Sequence, residues 1–251
     1  MGKIIAVVNQ KGGVGKTTTA VNLTAALTQA GKRVLLCDFD PQANATSGLG
    51  VDKRRIHKSV YDVIVNETPV REALVQTKFG DLLPSAADLA GAAVELISLP
   101  QPNDRLKNAL LPIKEGYDII FIDCPPSLEM LTLNGLSAAD GILVPVQCEY
   151  YALEGLSDLM STLRAVKKRL NPTLEIFGVA LTMFDGRTNF STQVAQEVRK
   201  HFPGKVYASV IPRNIRLAEA PSHGLPVTVY DRSCRGAVAY REMAEEICKK
   251  L

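Results

Sequence analysis

The stretch that most restricts what this chain can become is its beginning. After Lys3 the run Ile4-Ile5-Ala6-Val7-Val8 is apolar, and Asn9-Gln10-Lys11-Gly12-Gly13-Val14-Gly15-Lys16-Thr17-Thr18 follows at once. A short continuous apolar run suits a parallel strand covered on both faces. Gly12, Gly13 and Gly15 predict a bend whose backbone N–H groups can converge without Cβ obstruction. A helical pattern then starts at Lys16. Strand, glycine bend and helix N-terminus in succession make an anion site, because first-turn N–H groups lack intrahelical partners and the helix dipole is positive there. Lys16 is placed to reach the β- and γ-phosphates of a nucleotide, and the Thr17 hydroxyl to coordinate Mg²⁺. The whole loop from Lys11 to Thr18, with Val14 and Thr18 included, is the predicted nucleotide-binding stretch.

The rest of the chain alternates short β-rich runs with longer helical patterns. Strands are expected at 3–8, 33–37, 117–122, 141–146, 175–181 and 206–211, and helices at 16–30, 128–138, 153–170 and 192–201. A last helix repeats apolar residues at Tyr240, Ala244, Ile247, Cys248 and Leu251. Such alternation predicts an α/β fold, a doubly wound and mostly parallel sheet flanked by helices. The stretch 51–101 is less regular and should hold small helices and a short strand at 82–83. With 251 residues and no linker, repeat or low-complexity tract, residues 1–251 read as one domain.

Two further strands end in carboxylates. Leu35-Leu36-Cys37 runs into Asp38-Phe39-Asp40-Pro41-Gln42, and Ile119-Ile120-Phe121-Ile122 runs into Asp123-Cys124-Pro125-Pro126. In open α/β sheets the carboxyl ends of the strands face the ligand crevice. Asp38 and Asp40 flank Phe39, so both can turn toward one site. Asp123 is expected to hold Mg²⁺ directly or through water, with Thr17 and Asp38 as the other metal-site residues.

Bulk properties narrow the setting. No apolar run approaches the ~18 residues of a membrane span, and the N-terminus carries no signal-peptide pattern, so a cytoplasmic protein is expected. Five scattered cysteines without a CxxC pair, and three histidines, suit neither a disulfide framework nor a zinc site. Net charge is +3, but from Arg187 onward there are eleven basic residues against six acidic. That excess hints at a polyanion-facing surface.

The loop departs from the usual G-x-x-x-x-G-K-[ST], since Gln10 stands at the first glycine position and a second lysine stands at Lys11. The string K-G-G-V-G-K-T-T resembles the deviant Walker A motif of the MinD/ParA superfamily of P-loop NTPases. Asp38–Ser47, Leu82–Leu96, Leu181–Asn189 and Ile211–Leu225 resemble its ParA/Soj-type chromosome-partitioning ATPases, so the likeness spans nearly the whole chain. The resemblance implies a catalytic set of Lys11, Lys16 and Asp40, in which Lys11 reaches the partner's phosphates across a dimer and Asp40 positions the attacking water. It implies adenine contacts at Pro212 and Asn214, and a ribose contact across the dimer at Glu149. It also implies DNA binding without sequence preference through Arg187 and Arg216; Lys249 and Lys250 could add contacts, although as tail lysines they are expected in solvent. Guanidinium forks suit phosphate in that role.

The resemblance further implies ATP and Mg²⁺ as cofactors, an ATP-dependent homodimer on nucleoid DNA, and slow turnover stimulated by DNA and a ParB-like (Spo0J-like) partner. A ParA-like positioner of other cargo is the nearest alternative. A MinD-like membrane-associated ATPase would need an amphipathic helix after the fold, whereas this sequence stops at Ile247-Cys248-Lys249-Lys250-Leu251. A helix-turn-helix extension of the longer plasmid type is not expected. A nitrogenase-like reductase would need paired cluster cysteines, which CPPS does not supply, and a biotin-pathway synthetase would lack Lys11.

Overall fold

The computed structural model describes residues 2–127, 129–149 and 152–251. Its centre is a seven-stranded sheet in the order β3-β4-β2-β5-β1-β6-β7. The strands are β1 (Lys3–Val7), β2 (Val34–Asp38), β3 (Val75–Thr77), β4 (Gly80–Leu83), β5 (Ile119–Asp123), β6 (Gly141–Gln147) and β7 (Glu175–Thr182). All pairings are parallel except β3 with β4. The apolar runs of β1, β2, β5 and β6 are buried, as parallel strands covered on both faces must be.

Two helical layers provide that cover. Lys16–Gln29 (α1) contributes Val21, Leu23 and Leu27, and Arg235–Cys248 (α5) contributes Tyr240, Met243 and Ile247, to one face of the sheet. On the other face Met130–Ala138 (α2), Ala152–Arg169 (α3) and Asn189–His201 (α4) supply Leu131, Leu136, Leu163, Val194 and Val198. The expected first residue of α2, Leu128, lies outside the described residues. α1 stops because Gly31 takes φ +81° and Lys32 N–H reaches back to the Leu27 carbonyl at 3.0 Å, a glycine-terminated helix end. In the irregular stretch, Val60–Ile64, Val70–Ala73 and Leu89–Glu95 are short helices. The hairpin partner β3 leaves no signal in the sequence, because three residues are too few to show a period.

The strand expected at 206–211 does not form. Tyr207 N–H bonds the Val179 carbonyl and Ile211 N–H bonds the Leu181 carbonyl, but only isolated bridges, Val179–Val206 and Phe184–Pro212, join this segment to the sheet. Glu246 of α5 explains the gap. Its carboxylate accepts from Ala208 N–H at 2.9 Å and Ser209 N–H at 2.8 Å, which draws the middle of the segment off β7. The Ser209 hydroxyl adds a third bond, and these bonds outweigh burial to hold the Glu246 carboxyl below its ordinary range. Lys250, expected in a solvated tail, sits over the Tyr207 ring at 4.1 Å, while Lys3 Nζ donates to its carbonyl. That places it at the amino ends of the strands.

Glu246→Ala strands two backbone donors, each costing about 1–3 kcal/mol when left unpaired. The variant should lose roughly 2 kcal/mol in urea unfolding while keeping its far-UV spectrum. Unchanged stability would show that water replaces the carboxylate without loss.

Candidate functional site

Register brings the chemistry together. Val7 of β1 and Asp38 of β2 both pair with Asp123 of β5, so three neighbouring strands end at one level and the glycine loop leaves β1 directly above it. Gly13 takes φ +73° and Gly15 φ +90°, a region that side chains avoid. Gly15 is the N-cap of α1, whose first turn has neither a side-chain cap nor an acidic residue. Its leading N–H groups are therefore left for an anion.

The loop is fixed from three sides. Asn9 accepts from Lys11 N–H at 3.0 Å and donates to the Pro145 carbonyl at 2.7 Å. The Thr182 hydroxyl, at the end of β7, donates to the Val14 carbonyl at 2.8 Å. Thr19 and Tyr240 share a hydroxyl–hydroxyl bond of 3.1 Å that ties α1 to α5. Sequence reasoning missed these supports. Thr182 left one signal, a polar residue closing an otherwise apolar run.

Lys16 is 7% exposed and its ammonium touches the Lys11 carbonyl at 3.3 Å. Burial lowers its pKa, against the opposing pull of Asp123, Cys124 and Asp40. Asp123 is fully buried, and among the described residues neither carboxylate oxygen has a hydrogen-bond partner. Burial pushes its carboxyl far up and the Asp38 charge adds to that; the Thr17 hydroxyl lies near enough to ease the charge without forming a bond to it. An orphaned carboxylate beside a hydroxyl, facing an anion cradle, suits Mg²⁺, which takes one or two carboxylates and completes its shell with phosphate and water. Thr17 and Asp123 fit that donor set. Asp38 has both oxygens engaged, one by Thr46 N–H and hydroxyl at 2.7 Å each and the other by Asp40 N–H at 3.3 Å. Asp38, expected among the metal residues, is thus occupied in holding the loop and the Asp40 amide instead.

Asp40 is half-buried; its carboxylate accepts from Gln42 N–H at 2.9 Å and its carbonyl from the Ser85 hydroxyl at 2.8 Å. Ala43, just beyond, takes φ +54°, so this turn is strained as well as bonded. A cavity of about 350 Å³ opens beside Gly15 and Thr18, lined by Met183, Pro212, Asn214, Leu217 and Tyr240 among others. Pro212 and Asn214 thus stand where a base could lie, and Met183 is held at φ +51° in its wall.

Glu149 does not line that cavity. It pairs with Lys11 at 3.8 Å and with Arg213 at 3.2 Å. Arg187 and Arg216 are also paired, Arg187 with Asp185 at 2.7 Å and Arg216 with Glu219 at 2.7 Å and Asp231 at 3.4 Å.

The stacked carboxylates set a pH dependence. Burial pushes Asp38 up to about 6, above the ~3.9 of an unfolded aspartate. The folded chain therefore binds the extra proton, and this contribution to stability is lost as pH rises through that window. Asp123→Asn removes the more costly charge. It should raise the melting temperature of nucleotide-free protein near neutral pH by a few degrees, about 1 kcal/mol or more, and flatten the decline between pH ~4 and ~6. A lower melting temperature would mean that the ionised carboxylate is compensated.

Known proteins resemble this chain over most of its length. A family model described as an AAA domain matches residues 2–176. The sporulation initiation inhibitor protein Soj of Bacillus subtilis is 55% identical over 249 residues, covering 98% of each chain. The chromosome partitioning protein ParA of Caulobacter vibrioides is 50% identical, over 99% of this chain and 94% of its own. A crystal structure described as cobyrinic acid a,c-diamide synthase from Mycobacterium smegmatis with bound ADP and magnesium superposes with a TM-score of 0.86 at 40% identity, covering 99% of this chain and 95% of that one. With a glycine loop carrying two lysines above aligned carboxylates, and with full-length identity of this order, the chain belongs to the ParA/Soj family of chromosome-partitioning ATPases.

Proposed function

We propose that residues 1–251 act as one ATPase domain, an ATP-dependent dimerising switch that binds duplex DNA without sequence preference and moves chromosome or plasmid DNA with a ParB-like partner. The observation that carries this reading is the combination of Lys16, buried beneath the loop, with Lys11 on its outer side, half-exposed and resting on Glu149 of its own chain at 3.8 Å. Exposed ion pairs contribute about 0–1 kcal/mol, so Lys11 exchanges Glu149 for a stronger anion at little cost.

The N–H groups of Gly13 to Thr18 and the Lys16 ammonium bind the phosphates of ATP. Thr17 and Asp123 would hold Mg²⁺, which would supply charge neutralisation to the phosphate oxygens. Pro212 and Asn214 seat the base. Lys11 of each protomer reaches the nucleotide of the other, joining two faces whose phosphates would otherwise repel. Asp40, fixed at its turn by Gln42 and Ser85, orients the attacking water. Once the γ-phosphate is gone, Lys11 loses its counter-charge and the protomers part. Arg187 and Arg216 contact DNA phosphates in the dimer, which makes retention on DNA strongly salt-dependent. Among the described residues no helix is long and apolar enough to cross a membrane; the reading places the protein in the cytoplasm, on the nucleoid.

Two measurements test this. Asp40→Ala should still bind ATP and accumulate as a dimer by size-exclusion chromatography with light scattering, its turnover falling at least tenfold; a variant that remains monomeric with Mg²⁺ and ATP refutes the switch. Arg187→Glu and Arg216→Glu should each weaken DNA binding by at least tenfold in gel shifts at low salt while sparing that dimer. Undiminished shifts remove these arginines from the DNA face.

A further inference from the structure

A second basic surface lies outside the residues used so far. The segment Lys53-Arg54-Arg55-Ile56-His57-Lys58 is almost wholly exposed and places four cationic side chains, with His57, in six positions. Its acidic neighbours are Asp52, which pairs with Arg54 and Arg55, and Glu72, which pairs with Lys58. Two positive charges remain in excess. Lys53 leans over the Asp40 turn, its ammonium on the Gln42 carbonyl at 3.1 Å.

The position of the segment connects it to Arg216. Gly50 and Gly224 touch through their backbones, so closely that a Cβ built on either would come within 2.9 Å of the other glycine's backbone. Gly224 closes the short helical turn Ala220–His223, which continues directly from the helix Ile215–Glu219 that carries Arg216. Downstream, Val60 N–H bonds the Pro84 carbonyl just past the end of β4. The basic run therefore passes over the carboxyl ends of the strands, where the Arg187 turn also leaves β7.

Local chemistry matches too. At Asp185-Gly186-Arg187 the aspartate accepts from the arginine N–H at 3.1 Å and from its guanidinium fork at 2.9 and 2.7 Å. At Asp52-Lys53-Arg54 the same three donors reach the same acceptor atoms at 3.0, 3.1 and 3.3 Å. At Asn214-Ile215-Arg216 the N–H bond of 2.8 Å is kept, and the fork is held by Glu219. The Arg54 and Arg187 side chains are 88% and 89% exposed, so each is oriented by its aspartate yet open to solvent. An arginine held this way presents its remaining N–H edge to an incoming phosphate at little further entropy cost.

We infer that Lys53, Arg54 and Arg55 form a third contact with the DNA backbone, continuous with Arg216 through the Gly50–Gly224 junction. The inference rests on the reading of Arg187 and Arg216 as DNA contacts and extends it to residues next to the Asp40 turn.

The test is fluorescence anisotropy of a labelled duplex of arbitrary sequence, titrated with full-length protein, Mg²⁺ and ATPγS over a KCl series. Arg54→Gln/Arg55→Gln should weaken binding roughly three- to tenfold and reduce the slope of log affinity against log salt by about 0.9 for each phosphate that is no longer neutralised. Nucleotide-dependent dimerisation should be unchanged by size-exclusion chromatography. Lys107→Gln is the charge control. It sits on the helix Arg105–Leu110, whose Leu106 and Leu110 pack in the layer opposite α1, and it should alter neither quantity. Equal weakening in the control and the double variant overturns the inference, since net charge then explains both. Weakening in Arg216→Gln with none in Arg54→Gln/Arg55→Gln also overturns it and leaves the DNA reading standing. A wild-type chain indifferent to the duplex overturns both.

Discussion

A buried ammonium beside two buried carboxylates, at the level where three parallel strands end, governs the rest of this molecule. Lys16, Asp38 and Asp123 occupy a place where ionised groups are costly unless each meets a partner. Asp38 has its partners in Thr46 and the Asp40 amide. Asp123 has none among the described residues, and Lys16 rests on a single carbonyl. The empty valences point toward the same open loop. The site is thus a charge arrangement incomplete without an anion above and a cation between, and completing it is the natural source of any coupling between ligand and conformation.

The surrounding structure keeps that arrangement from relaxing. Asn9 pins the loop to β6, Thr182 pins it to β7, and Tyr240 braces α1 from behind. The strained backbone at Met183 lies beside the Thr182 anchor, and that at Ala43 within the bonded Asp40 turn. The groups that face outward are held by contrast in exposed ion pairs. Lys11, Arg187 and Arg216 each rest on a carboxylate near the surface. A rigid centre with exchangeable rim charges suits a protein that must bind and release.

Much of this is legible in the sequence, because the informative signals are local. The glycine spacing, the lysines at 11 and 16, and the aspartates closing apolar runs are properties of short strings, and the structure brings them together. Strand ends agree to within two residues where the run is apolar on both sides. The segment 206–211 misleads because its β-branched and aromatic residues are those of a strand, while the carboxylate that diverts it lies on a helix more than thirty residues later. The anchors Asn9, Thr182 and Tyr240 stay hidden for the same reason: each acts across the fold on a carbonyl or hydroxyl remote in sequence. The basic run after Asp52 is masked when charge is weighed over long stretches, where acidic neighbours dilute it.

The strap formed by 205–211 has one more consequence. It lies along β7 and satisfies part of that strand's outer edge, yet it is bonded to α5 at its middle and so offers no regular ladder of its own. At the other border the sheet ends in three residues of β3 running antiparallel. Neither side gives a neighbouring molecule a long template for adding strands. Uncontrolled fibre growth is discouraged at both margins.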